Sequence, residues 1–519
     1  MIRLSVGTVE TKASSISSRP SPRILRFENH DEALRLWRES AGANRILVHV
    51  DAHHDMWWLD PGQRVTIANF ICPALQEGIL REIYWVVPGR SWESSENRRQ
   101  IFHHLRRIQE GISIPPVRLE IARDHISTTL FGKPLHICSM EGLPKFAENV
   151  LLDLDVDYLI FPRVTYGPGD PHPALPWRWP ADLLQNLDAR GVPSDLITIA
   201  YSVEGGYTPL RWKYLGDELE TRLDANSSGE TVRGMDLMRN AAEAAAGGDR
   251  AVAEQKYLEA AAILPQRAAP LWHLAFLYLD GGRVEEGQAL YHRALDLDPS
   301  YRTPHNNEGL WDYWAERWAA SEREYRRTLA LDPRDAFAHM GLGWLAMEQS
   351  RWSDAEPELR RAIEIDPDLL DAHRALGRVF MKTGRLRKAI AAYEKSLKLS
   401  LSGKVSLRDS PIISAEQPRW NDASHFAVFL RLGQLYRAVG EPERASQFLR
   451  MAAAGGLDGV GLRLILASIA FAQGRWLAGF GEAGRLFRQS LVCMGRIGKK
   501  LLRGVLKPFQ LGYELWLVR

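Results

Sequence analysis

Cysteine is the scarcest residue here: three in 519 positions, Cys72, Cys138 and Cys493, with no Cys-x-x-Cys among them. That excludes a disulfide framework and a zinc–thiolate site, and it fits a reducing, cytoplasmic compartment. Charge of one sign is also missing. Lys and Arg number 66 against 64 Asp and Glu, a net charge of +2, which argues against a nucleic-acid-binding surface and an acidic tail. No apolar run reaches the ~18 residues that a transmembrane helix needs. The first 22 residues are rich in Ser, Lys and Arg, yet Glu10 and the lack of an amphipathic stripe count against a transit peptide. They read as a disordered lead-in. What is present is a globular composition, 45% hydrophobic and 25% charged, at a length that implies two or three domains.

The chemistry gathers in short stretches that follow apolar runs. Arg45 to Val50 reads as a buried strand, and Asp51-Ala52-His53-His54-Asp55 comes directly after it. Such a strand end turns its side chains into the crevice at the carboxyl edge of a sheet, where open α/β folds bind ligands. Two carboxylates and an imidazole suit Mn, Fe, Co or Zn better than Ca. A shorter strand, Arg23 to Phe27, runs into Glu28-Asn29-His30 and a helix, so His30 stands at a similar junction.

Further on, Val150 to Leu159 carries Asp153, Asp155 and Asp157 alternating with apolar residues. In an extended segment i and i+2 point the same way, so these carboxylates crowd one side unless the strand ends between them. A bound cation is the simplest remedy for that repulsion.

Between these stretches the sequence predicts a strand from Glu82 closing at Pro88-Gly89 and a helix from Trp92 to Gly111. A hairpin is expected over Val117–Ala122 and Ser127–Phe131, and another strand over Leu135–Met140. The Pro- and Trp-rich loop from Tyr166 to Trp179 reads as a pocket rim or a stiff Ω-loop. A last strand, Leu196 to Ala200, leads to Glu204-Gly205-Gly206, where two glycines let the backbone approach a ligand beside a carboxylate.

Beyond the linker at 223–233 the chain is repetitive. Pro265, Pro299, Pro333 and Pro367 stand 34 residues apart, and a small residue precedes each by twelve: Ala253, Gly287, Ser321 and Ala355, with Ala389 continuing the series. A small residue where paired helices cross and a proline closing the second helix make the tetratricopeptide pattern, which residues 234–400 resemble. An insertion at 401–422 breaks the phase, and further repeats occupy 423–474. The basic tail, 475–519, has nine Lys and Arg against two Glu. It reads as capping helices, with contact to a membrane surface the alternative.

Taken in order, Glu28-Asn29-His30, Asp51-Ala52-His53-His54-Asp55 and Asp153-Leu154-Asp155 resemble the metal-binding pattern of the ureohydrolases, the arginase–agmatinase superfamily. The likeness is to its compact peptide-arginase branch and covers residues 23–222. The resemblance implies a three-layer α/β domain with a mostly parallel sheet, followed here by an all-α solenoid. It implies two divalent cations, manganese by preference. His30 and Asp55 would bind the first, His53 and Asp155 the second, and Asp51 and Asp153 would bridge them. Asp157 departs from the pattern, since no proline follows it. The proton-shuttling histidine has no clear match, and His54, His125 and His172 are the candidates.

The implied reaction is metal-assisted attack of water on a guanidinium carbon. Glu204 would grip that guanidinium through paired hydrogen bonds. A repeat groove that tethers a peptide, or a partner protein, would favour arginine within a peptide over the free amino acid. Two other readings stand beside this one: a deacetylase-like amide hydrolase that uses His53-His54, and a non-catalytic repeat scaffold with a degenerate hydrolase domain.

Overall fold

The computed structural model describes residues 22–56, 65, 69–111, 120–121, 125–164, 173–203, 207–302, 308–402, 425–454, 466 and 469–470. The lead-in up to residue 21, His172, Glu204, most of the insertion and the basic tail lie outside them.

In chain order the first part runs β1 (Arg23–Phe27), α1 (Glu32–Ser40), β2 (Arg45–Val50), α2 (Ile71–Gln76), β3 (Leu80–Val86) and α3 (Ser95–Gly111). It continues with β4 (Glu120–Ile121), β5 (His125–Leu130), β6 (Lys133–Cys138), β7 (Val150–Asp155), α4 (Asp157–Ile160), α5 (Pro180–Arg190), β8 (Ser194–Ala200) and α6 (Tyr214–Leu223). The strands form one sheet in the order β1-β8-β7-β2-β3-β6-β5-β4. The first six of that row are mutually parallel, and β5 and β4 add an antiparallel edge. The helix expected from Trp92 begins at Ser95, after a 3-10 turn at Gly89–Trp92.

Local sequence explains these elements. Ile46 to Val50 are buried without interruption, as a parallel strand covered on both faces requires. Ala33, Leu34 and Trp37 form the buried stripe of α1, and Ile101, Leu105 and Ile108 that of α3. Phe131 and Gly132 both take positive φ, the two-residue turn that joins β5 to β6. After Asp155 the chain leaves the sheet and turns into α4, so the alternating carboxylates do not all lie on a strand.

The helical part runs α7 (Gly229–Ala246), α8 (Arg250–Ile263), α9 (Ala269–Asp280), α10 (Val284–Leu297), α11 (Glu308–Trp314), α12 (Trp318–Leu331), α13 (Ala336–Glu348), α14 (Trp352–Ile365), α15 (Leu370–Lys382) and α16 (Leu386–Leu401). Helices His425–Ala438 and Pro442–Ala454 follow. α8, α10, α12 and α14 each stop two residues before a proline of the 34-residue series. Ala253, Ser321, Ala355, Ala389 and Ala445 are wholly buried, because paired helices cross there and leave no room for a larger side chain. No helix among the described residues is long and apolar enough to cross a membrane.

The described residues fall into two compact units. One holds the sheet, α1 to α8, most of α9 and the second half of α10 with the turn Pro299–Arg302. In it Ser228 caps α7, Arg222 of α6 joins Glu218 to Asp236 of α7, and His273 Nε2 of α9 donates to the Arg211 carbonyl at 2.9 Å. The other unit holds Tyr278–Ala289 and everything from α11 on, around its own apolar core.

Candidate metal centre

Four strands deliver the site at their carboxyl ends. His30 follows β1, Asp51 and Asp55 follow β2, Asp155 ends β7, Asp157 opens α4, and Ser202 follows β8. Two more residues come from inside the strands: His49 of β2 and Asp153 of β7. The sheet register places His49 beside Asp153, and Asp153 beside Thr198 of β8. All but His53 are buried, and His53 keeps 18% of its side-chain surface exposed. The cluster therefore opens to solvent on the His53 side, where the ring meets Tyr207 and Phe161 edge-on.

The atoms sort into two overlapping groups. His30 Nδ1 lies 2.9 Å from Asp155 Oδ2, 3.0 Å from Asp55 Oδ2 and 3.3 Å from Asp51 Oδ2. His49 Nε2 lies 3.3 Å from the same Asp51 oxygen. On the other side of Asp51, Oδ1 is 3.5 Å from His53 Nδ1, and that nitrogen is 2.7 Å from Asp157 Oδ2. Asp51 thus spans both groups with its two oxygens. Asp153 faces the back of the histidines instead, its Oδ2 2.8 Å from His30 Nε2 and 2.8 Å from His49 Nδ1.

Backbone and hydroxyl donors hold this arrangement. His53 N–H donates to Asp51 Oδ1 at 2.6 Å, Asp157 N–H to Asp155 Oδ1 at 2.9 Å, and Ser202 Oγ to Asp155 Oδ2 at 2.5 Å. Asp55 and Ser202 sit at positive φ, 52° and 53°, a conformation uncommon for such residues and concentrated at functional sites.

Electrostatics follow from burial and mutual charge. Burial lifts the Asp55 carboxyl to about 6, helped by the Asp51 charge and opposed by His30. Burial, then the charges of Asp155 and Asp51, raise Asp157 well above the usual carboxylate range. Burial works against the His30 imidazolium, but Asp153 and its fellow carboxylates outweigh it and raise the ring's pKa.

A cation fits this donor set on the structure's own terms. His30 Nδ1, His49 Nε2 and Asp51 Oδ2 are buried and have no hydrogen-bond partner, although they converge on one another. Buried polar atoms are almost always paired, so three orphans converging mark a place for a shared partner. Mixed imidazole and carboxylate donors suit a divalent transition ion. The triads His30–His49–Asp153, His30–Asp51–Asp155, His49–Asp51–Asp55 and Asp51–His53–Asp157 each offer ligand atoms within 4.8 Å of one another.

The structure brings together all six residues expected as ligands, with Asp157, the third of the alternating carboxylates, and His49, which the sequence alone did not single out, beside them. His49 stands at i−2 from Asp51, so alternation puts the two on one face, but the pairing of β2 with β7 sets it against Asp153. His54 is buried, its Nδ1 accepting from Met56 N–H at 2.9 Å and its ring edge-on to Trp85. His125 lies on β5, three strands from β2 in the sheet. Val203 N–H donates to Glu28 Oε1 at 2.8 Å, so a residue adjoining Glu204 in sequence touches the loop that carries His30.

No curated protein matches the chain. Among solved structures, PilF of Pseudomonas aeruginosa is 22% identical, over 43% of this chain and 91% of its own, with a TM-score of 0.29. YrrB, described as a TPR protein with an unusual peptide-binding site, is 19% identical over 40% and 95%, TM-score 0.26. MamA of Desulfovibrio magneticus is 16% identical over 34% and 97%, TM-score 0.20. Two family models, both described as tetratricopeptide repeat, match residues 313–369 and 346–398. The chain therefore joins an α/β domain with a mostly parallel sheet to a C-terminal solenoid of tetratricopeptide repeats.

Proposed function

We propose that the α/β domain is a metal-dependent hydrolase of guanidinium groups. It would convert arginine residues of a peptide or protein to ornithine and release urea, while the repeats bind that peptide or a partner. The observation that carries the metal half of this reading is the convergence of three unpartnered buried atoms, His30 Nδ1, His49 Nε2 and Asp51 Oδ2. The guanidinium half rests on the ureohydrolase resemblance of the three stretches.

His30, Asp51, Asp55 and Asp155 would hold one divalent cation, and Asp51, His53 and Asp157 a second. Bound there, such cations acidify water from ~15.7 towards ~7 and so supply a nucleophile at neutral pH. The chain's own residues supply the rest. Ser202 and the Asp157 N–H hold the two Asp155 oxygens in place. His53, with Tyr207 and Phe161 against its ring, lines the approach for substrate. Carboxylates crowded into one cleft favour a cationic group, and Glu204 is the proposed partner of its paired N–H donors. Water adds to the guanidinium carbon, the bond to the side-chain nitrogen breaks, and that nitrogen leaves as the ornithine amine with the transferred proton.

The test is turnover by the full-length protein with manganese, offered free arginine, agmatine and arginine-containing peptides, read as urea release and the matching mass loss. Peptide turnover is the expected outcome. Turnover of an acetyl-lysine peptide instead would favour the deacetylase-like alternative. Binding of peptides with no turnover of any substrate would favour the scaffold reading, which draws on the repeats alone.

A further inference from the structure

We propose that His49 joins His30 as an imidazole donor to the first cation, and that Asp153 is the positioning carboxylate that aims both rings. The inference rests on the metal-centre reading above and departs from the bridging role that the resemblance implies for Asp153.

The geometry around Asp153 carries it. Its Oδ2 is 2.8 Å from His30 Nε2 and 2.8 Å from His49 Nδ1, and its Oδ1 accepts the Thr198 hydroxyl at 2.5 Å. Three donors occupy a fully buried carboxylate whose two oxygens offer about four lone-pair sites in all. Little capacity is left for a metal, and a proton is held on each of the two ring nitrogens that face it.

Fixing the proton on one nitrogen of an imidazole leaves the lone pair on the other, the usual way a carboxylate behind a histidine prepares it as a ligand. Those other nitrogens, His30 Nδ1 and His49 Nε2, are the two orphaned ones, each 3.3 Å from the orphaned Asp51 Oδ2. Carboxylate oxygens approach His30 Nδ1 to 2.9 and 3.0 Å, yet the angles make no hydrogen bond. Asp51, Asp55 and Asp155 thus gather around His30 Nδ1 without pairing it, a donor set that would suit a shared cation.

The sheet explains why one residue reaches both rings. His49, Asp153 and Thr198 are direct neighbours across β2, β7 and β8, so their side chains stand in a row on one face. His30 arrives from the loop after β1 and meets the row from its end, its ring 5.4 Å from that of His49. Phe70 closes the row, 4.7 Å from the His30 ring and 6.3 Å from the His49 ring, and shuts water away from both.

The experiment titrates the full-length, metal-stripped protein with Mn(II), counts bound ions, and counts coordinated imidazoles by nitrogen hyperfine spectroscopy. The wild type is expected to bind two ions with three imidazoles, His30, His49 and His53. His49→Gln should lose one imidazole coupling, and Asp153→Asn should keep all three while binding the first ion about 10- to 100-fold more weakly. A wild-type protein with two ions and only two imidazoles overturns the inference and leaves the metal-centre reading intact. So does an Asp153→Asn protein, folded by circular dichroism, that binds one ion fewer at saturation. A wild type that binds no Mn(II) overturns both.

Discussion

Glu218 shows at the level of one residue how burial sets behaviour outside the metal centre. Its side chain is sealed from water on α6, with one oxygen on Arg222 Nε at 2.7 Å and the other without a hydrogen-bond partner. Burial lifts its carboxyl from 4.5 to about 7, against the pull of Arg222. Between those values the folded chain keeps a proton that the unfolded chain has released, so stability is fullest in acid and falls as pH rises through that window. Glu218→Gln should flatten this fall, seen as a melting temperature that changes less between about pH 4.5 and about pH 7 than the wild type's; an unchanged slope would assign the dependence elsewhere.

The candidate metal cluster gives a second prediction at the same scale. With free Mn(II) a hundredfold above its dissociation constant, one bound ion stabilises the fold by about 2.7 kcal/mol. Stripping ions with a chelator should therefore lower the melting temperature, and Asp51→Ala should make the protein indifferent to the chelator, because Asp51 reaches both groups of donors.

Elements meet most tightly where two repeat helices cross. A Cβ on Gly341 of α13 would stand 2.1 Å from Tyr325 Cζ of α12, and Tyr325 is itself buried. On Gly343 it would stand 2.7 Å from Leu359 Cγ of α14. α13 thus presents glycines to both neighbours, and the solenoid's pitch depends on that close approach. Gly341→Ala should cost about 1–3 kcal/mol through overpacking, measured by urea denaturation. Its Mn(II) stoichiometry should stay that of the wild type, because the cluster belongs to the other unit. A neutral Gly341→Ala would mean that α12 and α13 pack less closely than described.

Across the whole molecule, the sheet and the first repeat helices share one compact unit. Tyr214, almost fully buried at the start of α6, meets a helix beyond residue 228, its ring edge-on to His273 and 5.6 Å away. Lys213 Nζ reaches Asp298 at 2.8 Å. A chain ending at 224 strips this cover, whereas one ending at 302 keeps it. The shorter piece should aggregate or melt at lower temperature, and the longer one should elute as a folded species in size-exclusion chromatography. Equal behaviour of the two pieces would show that the sheet domain needs nothing beyond α6.

The sequence by itself determined what depends on neighbours along the chain. The 34-residue period, the small residue at each helix crossing and the proline just past α8, α10, α12 and α14 are local rules, and the repeats were legible from them. So were β2, β1 and the strand-end positions of His30, Asp51, His53 and Asp55, since an apolar run followed by polar residues marks a strand end wherever it falls.

Tertiary structure decided the roles. His49 reads in sequence as one more residue of a buried strand, and only the pairing of β2 with β7, about a hundred residues away, sets it against Asp153. The run Asp153-Leu154-Asp155-Val156-Asp157 alternates without a break, so composition cannot say which carboxylate faces the cleft. The sheet answers by ending β7 at Asp155 and turning Asp157 into α4. Asp155 and Asp157 then stand beside the open donors, and Asp153 stands behind the histidines. Strand register is a property of partners distant in sequence, and side-chain alternation makes a shift of a single residue reverse which face each one occupies.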